Sequence, residues 1–394
     1  MRVSWLSRRP VVVLAVPVML AAVVAGTAVP AAAVPAAARH RPAGTPFPGQ
    51  LNAVAATSAS NAWAVGYSTG ETLTEHWNGK AWKFVNSLNL GASGDLYGVA
   101  PLSAADAWAV GYLPGPSGSA SLIARWNGKT WKRVKSPNPG TGGSILQGVA
   151  ATSAKNAWAV GETSAEKTLI LRWNGTAWKQ VPSPSPGPNG DFLYGVTATS
   201  ATSAWAVGVA HSPTATSTLI LHWNGKAWKR VASPSPGAQG STLYGVSASS
   251  PTNAWAVGYT AVYAEGWKTL IEHWNGKTWR QVPSPDPVTV SSSKLTWNIL
   301  QSVSAVSAGS AWAAGYSEEA LKGSKDLILR WTGNAWKQVP SPNPFCATCD
   351  SLFGVTARPA GHAWAVGTVN TGAEVTILRW TGTAWKNSPS ASLP

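Results

Sequence analysis

Two tryptophans, Trp267 and Trp297, stand outside the regular spacing that the other tryptophans of this sequence follow. Tyr263 and Glu265 lie close to the first, and Asn298 follows the second. Exposed indoles stack against sugar rings, and nearby carboxylate and amide groups can hydrogen-bond the sugar hydroxyls. These five residues are therefore predicted to form a ligand-binding site. The alternative is that the long insertion around them folds back and buries both indoles in a local cluster.

Residues for acid–base or metal chemistry are scarce. The chain has 15 acidic residues, and none lies in a recognisable acid/base motif such as glycoside hydrolysis requires. The sequence also lacks a nucleophile elbow, a His-Glu-x-x-His zinc motif, a phosphate-binding loop and an acidic calcium loop. We therefore predict no catalytic residues, no metal and no cofactor, and we expect a protein without enzymatic activity.

The two cysteines, Cys346 and Cys349, form a single Cys-x-x-Cys motif. Two thiolates leave a zinc ion half-coordinated, and no other Cys or His is near in sequence to complete the site. A thioredoxin-like role would require the motif to open a helix, and this segment has no helical pattern. A local disulfide that pins the loop is predicted, as in proteins of oxidising compartments.

Apart from Trp5, the remaining tryptophans belong to a module that occurs seven times after Leu51. One tryptophan of each module lies in an Ala-Trp-Ala-(Val/Ala)-Gly segment, at intervals of 45 to 57 residues: Trp63, Trp108, Trp158, Trp205, Trp255, Trp312 and Trp364. The other two are always five residues apart: Trp77/Trp82, Trp126/Trp131, Trp173/Trp178, Trp223/Trp228, Trp274/Trp279, Trp331/Trp336 and Trp380/Trp385. Each module contains four short apolar runs bounded by turn residues. This period predicts an all-β fold, a seven-bladed β-propeller with four antiparallel strands per blade.

The repeat also sets the domain boundaries. We predict a signal peptide at 1–38, a linker at 39–50 and the propeller at 51–394. The blades are placed at about 51–90, 96–140, 146–187, 193–237, 243–287, 300–344 and 352–389. In five of the modules the third and fourth strands are joined by Asn-Gly, which predicts a two-residue type I′ turn. In the first module Trp77 would then face Lys80, and Glu75 would face Trp82.

The modules resemble the kelch and Asp-box groups of β-propeller repeats. The kelch likeness rests on Val-Gly at the end of the second strand, an aromatic at the end of the third and a Trp on the fourth. The Asp-box likeness rests on Gly79-Lys-Ala-Trp82 and Gly128-Lys-Thr-Trp131, although the Ser and Asp of that motif are missing. In its Trp- and Ala-rich composition the sequence most resembles secreted actinobacterial propeller proteins, some of which are lectin-like. The resemblance implies the fold and says little about function, because propellers serve many functions.

The N-terminus has the pattern of a secretory signal peptide. Arg2, Arg8 and Arg9 precede an apolar run at 11–24 that is too short for a membrane anchor, and cleavage is expected after Ala33 or Ala38. Export is predicted by the general secretory route, with the twin-arginine route as an alternative. Loss of these three arginines lowers the formal charge from +15 to +12 (15 minus 3). An exported basic protein is expected to meet anionic envelope polymers rather than nucleic acid.

The loops between second and third strands, together with the links between blades, hold the length variation of the repeats. They share one face of the predicted disc, and binding residues concentrate on variable loops carried by a rigid scaffold. We therefore expect a secreted, lectin-like binding module that recognises a carbohydrate or an anionic cell-envelope polymer through this face. The alternatives are a protein-interaction or targeting subunit of a larger secreted complex, and an unrecognised polysaccharide hydrolase or lyase. The sequence leaves the oligomeric state open.

Overall fold

A computed structural model describes residues 48–87, 94–115, 118–262, 266–287, 296–319, 323–342, 350–359, 361–369 and 374–391. The predicted signal peptide, most of the linker, Tyr263, Glu265, Cys346 and Cys349 lie outside these ranges. The described residues form strands, turns and connecting segments, and they include no helix that could cross a lipid bilayer. The prediction of an all-β fold is confirmed.

The strands fall into seven groups of four in chain order. The first three groups are β1 (Gln50–Ser58), β2 (Asn61–Ser68), β3 (Glu71–Trp77) and β4 (Trp82–Phe84); β5 (Asp95–Ser103), β6 (Asp106–Gly115), β7 (Gly118–Trp126) and β8 (Trp131–Arg133); β9 (Ser144–Ser153), β10 (Asn156–Thr163), β11 (Thr168–Trp173) and β12 (Trp178–Gln180). The next two are β13 (Asp191–Ser200), β14 (Ser203–His211), β15 (Thr216–Trp223) and β16 (Trp228–Val231); β17 (Gly240–Ser250), β18 (Asn253–Val262), β19 (Gly266–Trp274) and β20 (Trp279–Gln281). The last two are β21 (Thr296–Ser307), β22 (Ser310–Glu319), β23 (Gly323–Trp331) and β24 (Trp336–Gln338); β25 (Ser351–Arg358), β26 (His362–Val369), β27 (Glu374–Trp380) and β28 (Trp385–Asn387).

Each group is an antiparallel meander in which consecutive strands are paired. Five groups form separate four-stranded sheets, whereas the fifth and sixth are joined into one eight-stranded sheet by parallel pairing of β19 with β21. The first strands of successive groups pack side by side, so they are the inner strands. This arrangement is that of a β-propeller with about seven blades, and we refer to each group as a blade.

The invariant tryptophans hold the blades together. The second-strand Trp of each blade inserts between the Trp pair of the next blade, with ring centroids 4.8–5.0 Å from the third-strand indole and 5.0–5.2 Å from the fourth-strand indole. Trp364 of the last blade makes the same contacts with Trp77 and Trp82 of the first, at 4.8 and 5.1 Å. The fixed spacing along the sequence is therefore a requirement of packing between neighbouring blades.

Small residues on the inner strands allow the inner strands of neighbouring blades to approach each other closely. A side chain at Gly98 would lie 3.2 Å from the Cα of Gly148, and one at Gly354 would lie 3.1 Å from the Cα of Ala53. Equivalent residues of neighbouring inner strands thus lie side by side, and all blades present the same end to the same face. We call the face with the turns between strands one and two and between strands three and four the hairpin face. The opposite face is the loop face.

The predicted two-residue turn between third and fourth strands is wrong. Trp77 pairs directly with Trp82, and Glu75 pairs with Phe84, so the connection has four residues. The Asn78 side-chain oxygen accepts hydrogen bonds from the backbone N–H groups of Lys80 and Ala81, both at 3.0 Å. The asparagine thus closes a wider turn through its side chain instead of adopting the first position of a type I′ turn.

Candidate functional site

The structure brings Trp267 and Trp297 together at the loop face. Trp267 is the second residue of β19 and Trp297 the second residue of β21, and they are direct partners in the parallel ladder. Their ring centroids lie 6.4 Å apart in a T-shaped arrangement. Asn298, by contrast, is only 1% exposed and lies opposite Ser317 of β22, so it supports the strand rather than presenting its amide at the surface.

A row of tyrosines extends this pair toward the inner strands. Tyr259 stacks on Trp267 with a centroid distance of 4.4 Å and an interplanar angle of 19°. Tyr244 lies 6.0 Å from Tyr259, and Tyr194 lies 5.1 Å from Tyr244. We call these five residues the aromatic cluster. Both tryptophans are half-buried, so part of each residue remains accessible at the surface.

Tyr194 and Tyr244 occupy a position that recurs on the first strand of every blade. The residue before the small inner-strand residue is displaced by a β-bulge, as the shift between Leu96 and Gly98 shows for the second blade. This position is half-buried throughout and holds Asn52, Tyr97, Gln147, Tyr194, Tyr244, Gln301 and Phe353. We call these seven residues the bulge ring. Sequence reasoning missed it, although a varying residue between an invariant leucine and a Gly, Ala or Ser was a visible signal.

In the second and third blades the bulge ring forms hydrogen bonds with carboxyl groups, in contrast to the stacked rings of the aromatic cluster. In the second blade the Tyr97 hydroxyl donates to Asp95 Oδ2 at 3.3 Å. In the third, Gln147 Nε2 donates to Glu162 Oε1 at 3.2 Å, while Glu162 Oε2 has no hydrogen-bond partner among the described residues. Burial raises the pKa of Glu162 to about 7, against the lowering effect of the Gln147 hydrogen bond. The loop face therefore offers aromatic rings, amides and a carboxyl group that is partly protonated at neutral pH.

Within the described ranges no three His, Cys, Asp or Glu side chains are grouped closely enough to hold a metal ion. The carboxyl groups of the loop face are dispersed among different blades. What the face can supply is stacking area together with hydrogen bonds in both directions, which is the chemistry of a binding surface.

Gly266 positions the two tryptophans, and its replacement by alanine is expected to separate them. Its φ is +83°, and a Cβ atom there would overlap the carbonyl oxygen of Thr296 across the parallel ladder. We expect Gly266→Ala to lower the unfolding free energy by roughly 1–3 kcal/mol and to change the near-ultraviolet circular dichroism of the indoles. Gly309→Ala is the control, because a Cβ atom there would meet nothing within 4 Å. An unchanged spectrum and unchanged stability in Gly266→Ala would contradict the described pairing.

Comparison with known proteins shows the fold and no family. No protein-family model matches the chain, and no curated protein matches it. Among solved structures it is similar to YCF48 from Cyanidioschyzon merolae, with a TM-score of 0.55 and 15% identity over 85% of this chain and 97% of that one. YCF48 bound to D1 peptide gives a TM-score of 0.51 and 13% identity over 85% and 92% of the two chains.

A GH74 xyloglucanase from Xanthomonas campestris gives a TM-score of 0.57 and 14% identity over 87% of this chain and 54% of that one. Its chain is thus nearly twice as long as the part that aligns. At such identities the likeness concerns the fold alone. The solved structures that resemble this chain are β-propellers, which agrees with the blades and inner strands described above.

Proposed function

We propose that this protein is a secreted, non-catalytic binding module that binds a carbohydrate at its loop face. The main support for this proposal is the ring contacts that Trp267 makes with Tyr259 and with Trp297. Two half-buried indoles and a stacked phenol thus lie together on the face where the loops vary. Aromatic rings of this kind bind the apolar faces of sugars. The amides of the bulge ring and the neighbouring Glu162 carboxyl group would bind the hydroxyls, and the carboxyl group favours a neutral glycan over an anionic one.

We further infer that the scaffold is a closed ring of seven blades. The contacts of Trp364 with Trp77 and Trp82 repeat the other six interfaces and support closure. A side-chain hydrogen bond from Arg358 to the carbonyl of Thr57, at 2.9 Å, also joins the last blade to the first. A kelch-like or degenerate Asp-box-like repeat and export by the N-terminal signal peptide are parts of the same proposal. They rest on the sequence.

A protein partner is the second candidate. One of the similar structures is YCF48 bound to D1 peptide, and aromatic residues are enriched in protein–protein interfaces as well as in sugar sites. The protein would then act as an interaction or targeting subunit of a secreted complex. A polysaccharide hydrolase remains a third candidate because the xyloglucanase has a similar fold. Turnover of a polysaccharide panel would replace the binding proposal with this one.

A glycan array and cell-wall pull-down with the mature protein test the proposal, followed by titration of the retained glycan. Trp267→Ala and Trp297→Ala are each expected to weaken binding at least tenfold, which is about 1.4 kcal/mol. Phe192→Ala is the control, because this half-buried loop-face aromatic contacts His211 and not the aromatic cluster. Retention of a co-secreted protein without any glycan would favour the second candidate.

A further inference from the structure

Charge is divided between the two faces of the molecule. Exposed cations occupy the four-residue hairpin turns and the strand positions beside them: Lys80, Lys83, Lys129, Lys132, Lys179, Lys226, Lys229, Lys277, Arg280, Lys337 and Lys386. Among the described residues, the surface of this face carries one carboxylate, Asp106, which is engaged with Arg125 at 2.9 Å. The hairpin face is therefore a broad cationic surface, which we call the basic ring.

The acidic residues lie toward the other face. Those described on the loop side are Glu71, Asp95, Glu162, Glu166, Asp191, Asp286, Glu318, Glu319, Asp326, Asp350 and Glu374. Glu75 and Glu272 are buried within blades and do not reach either surface. Within the described ranges, exposed positive charge is thus concentrated on the hairpin side, and the carboxylates are concentrated on the loop side.

The basic ring costs stability within the fold. In four blades two cations are direct cross-strand partners: Arg125 and Lys132, Arg172 and Lys179, Arg330 and Lys337, Arg379 and Lys386. Like charges placed opposite each other destabilise a sheet. The four arginines gain from lying over tryptophan rings at 4.9–5.8 Å, whereas the exposed lysines opposite them have no carboxylate within ion-pair distance in the described part of the chain.

Protection of sheet edges explains only some of these lysines. A lysine on the short outer strand, such as Lys132 of β8, discourages pairing with another chain. Four other lysines lie in the turns and therefore cannot protect a strand edge: Lys80, Lys129, Lys226 and Lys277. Edge protection also does not explain why the acidic residues are confined to the other face.

We propose that the basic ring docks a flexible polyanion that carries phosphate groups along its backbone. All seven hairpin turns span four residues, and a Lys or Arg follows the fourth-strand tryptophan in every blade. A flexible chain can follow such a ring and contact several cations in succession. The loop face remains free for its own ligand, so the molecule has two binding surfaces of different chemistry.

Binding of linear polyphosphate at several salt concentrations tests this proposal. The triple variant Lys129→Gln, Lys226→Gln and Lys277→Gln is compared with Lys135→Gln, Lys167→Gln and Lys325→Gln, three exposed lysines on the loop side. Both variants lose the same charge. The first is expected to weaken binding at 0.15 M salt roughly tenfold or more and to reduce the salt slope by about 2. The second is expected to change the affinity less than about threefold.

Two results would overturn the proposal. Equal weakening by both variants would mean that net charge, and not the hairpin face, attracts the polymer. Binding to phosphatidylglycerol vesicles without binding to polyphosphate would identify the basic ring as a membrane-docking surface instead. Thermal unfolding of both variants checks that the fold is intact, which is expected because all six lysines are exposed.

Discussion

Replacing Glu272 with leucine is expected to raise the free energy of unfolding at pH 8 by on the order of 3–5 kcal/mol. The Glu272 side chain is fully buried in β19, and neither carboxyl oxygen has a hydrogen-bond partner among the described residues. Burial raises its pKa from 4.5 to about 8. The equivalent residues of the neighbouring blades are Leu221 and Leu329, so leucine fits this position.

The sign of the pH dependence follows from this raised pKa. Below about pH 4.5 the carboxyl is protonated in both the folded and the unfolded chain, so its ionisation makes no contribution to the pH dependence of stability. Between pH 4.5 and 8 the unfolded chain ionises while the folded one does not, so stability falls as the pH rises. The benefit of Glu272→Leu should therefore be small at pH 4.5 and largest at pH 8, as measured by urea unfolding.

Glu75→Leu is the matched control for this prediction. Glu75 occupies the same position in the first blade and is equally buried, but its Oε2 accepts a hydrogen bond from the backbone N–H of Ala391 at 2.8 Å. Leucine would leave that N–H buried without a partner, which costs about 1–3 kcal/mol. We expect a smaller gain than for Glu272→Leu. A loss of stability in Glu272→Leu at pH 8 would show that the carboxyl has a partner.

Replacing Trp364 with alanine is expected to destabilise the protein as much as replacing Trp158, by roughly 3–5 kcal/mol in each case. Trp158 lies inside the array and packs between Trp223 and Trp228, whereas Trp364 belongs to the last blade. Trp364 is 3% exposed and packs on Trp77 and Trp82 with nearly the same geometry. In a closed ring both substitutions leave the same cavity between blades.

The comparison tests ring closure directly. In an open array the last blade would have no following blade to cover Trp364, and its loss would cost much less than the loss of Trp158. Guanidinium unfolding of both variants measures the difference, with Lys132→Ala as an exposed control that is expected to change stability by less than about 0.5 kcal/mol.

The fold was predictable because the tryptophan spacing is a packing rule. The spacing of Trp77 and Trp82 was enough to predict that the third and fourth strands pair. It did not predict the register of that pairing, because the Asn78 side chain accepts the hydrogen bonds that close the turn. In four blades an arginine lies over these indoles, for example Arg172 over Trp158. In three other blades a histidine stacks there, as His222 does on Trp205 at 4.2 Å.

The candidate site was only partly predictable. Trp267 and Trp297 were identifiable because they break the repeat, and the structure places them together. The parallel ladder that joins them could not be predicted, because it pairs strands of two different blades. Tyr194 and Tyr244 lie at a bulge, which has no signature in the alternation of polar and apolar residues. The burial of Asn298 also depends on its pairing with β22, which a local pattern does not reveal.

Fluorine NMR of the mature protein labelled with 5-fluorotryptophan is the most direct test of the central claim, that the aromatic cluster is the ligand site. The resonances of Trp267 and Trp297 are assigned from their phenylalanine variants, and the retained glycan is then added. These two resonances are expected to shift, while those of the indoles between blades, such as Trp158 and Trp205, stay unchanged. Shifts confined to the interblade tryptophans, with Trp267 and Trp297 unaffected, would place the ligand between the blades and contradict the proposed site.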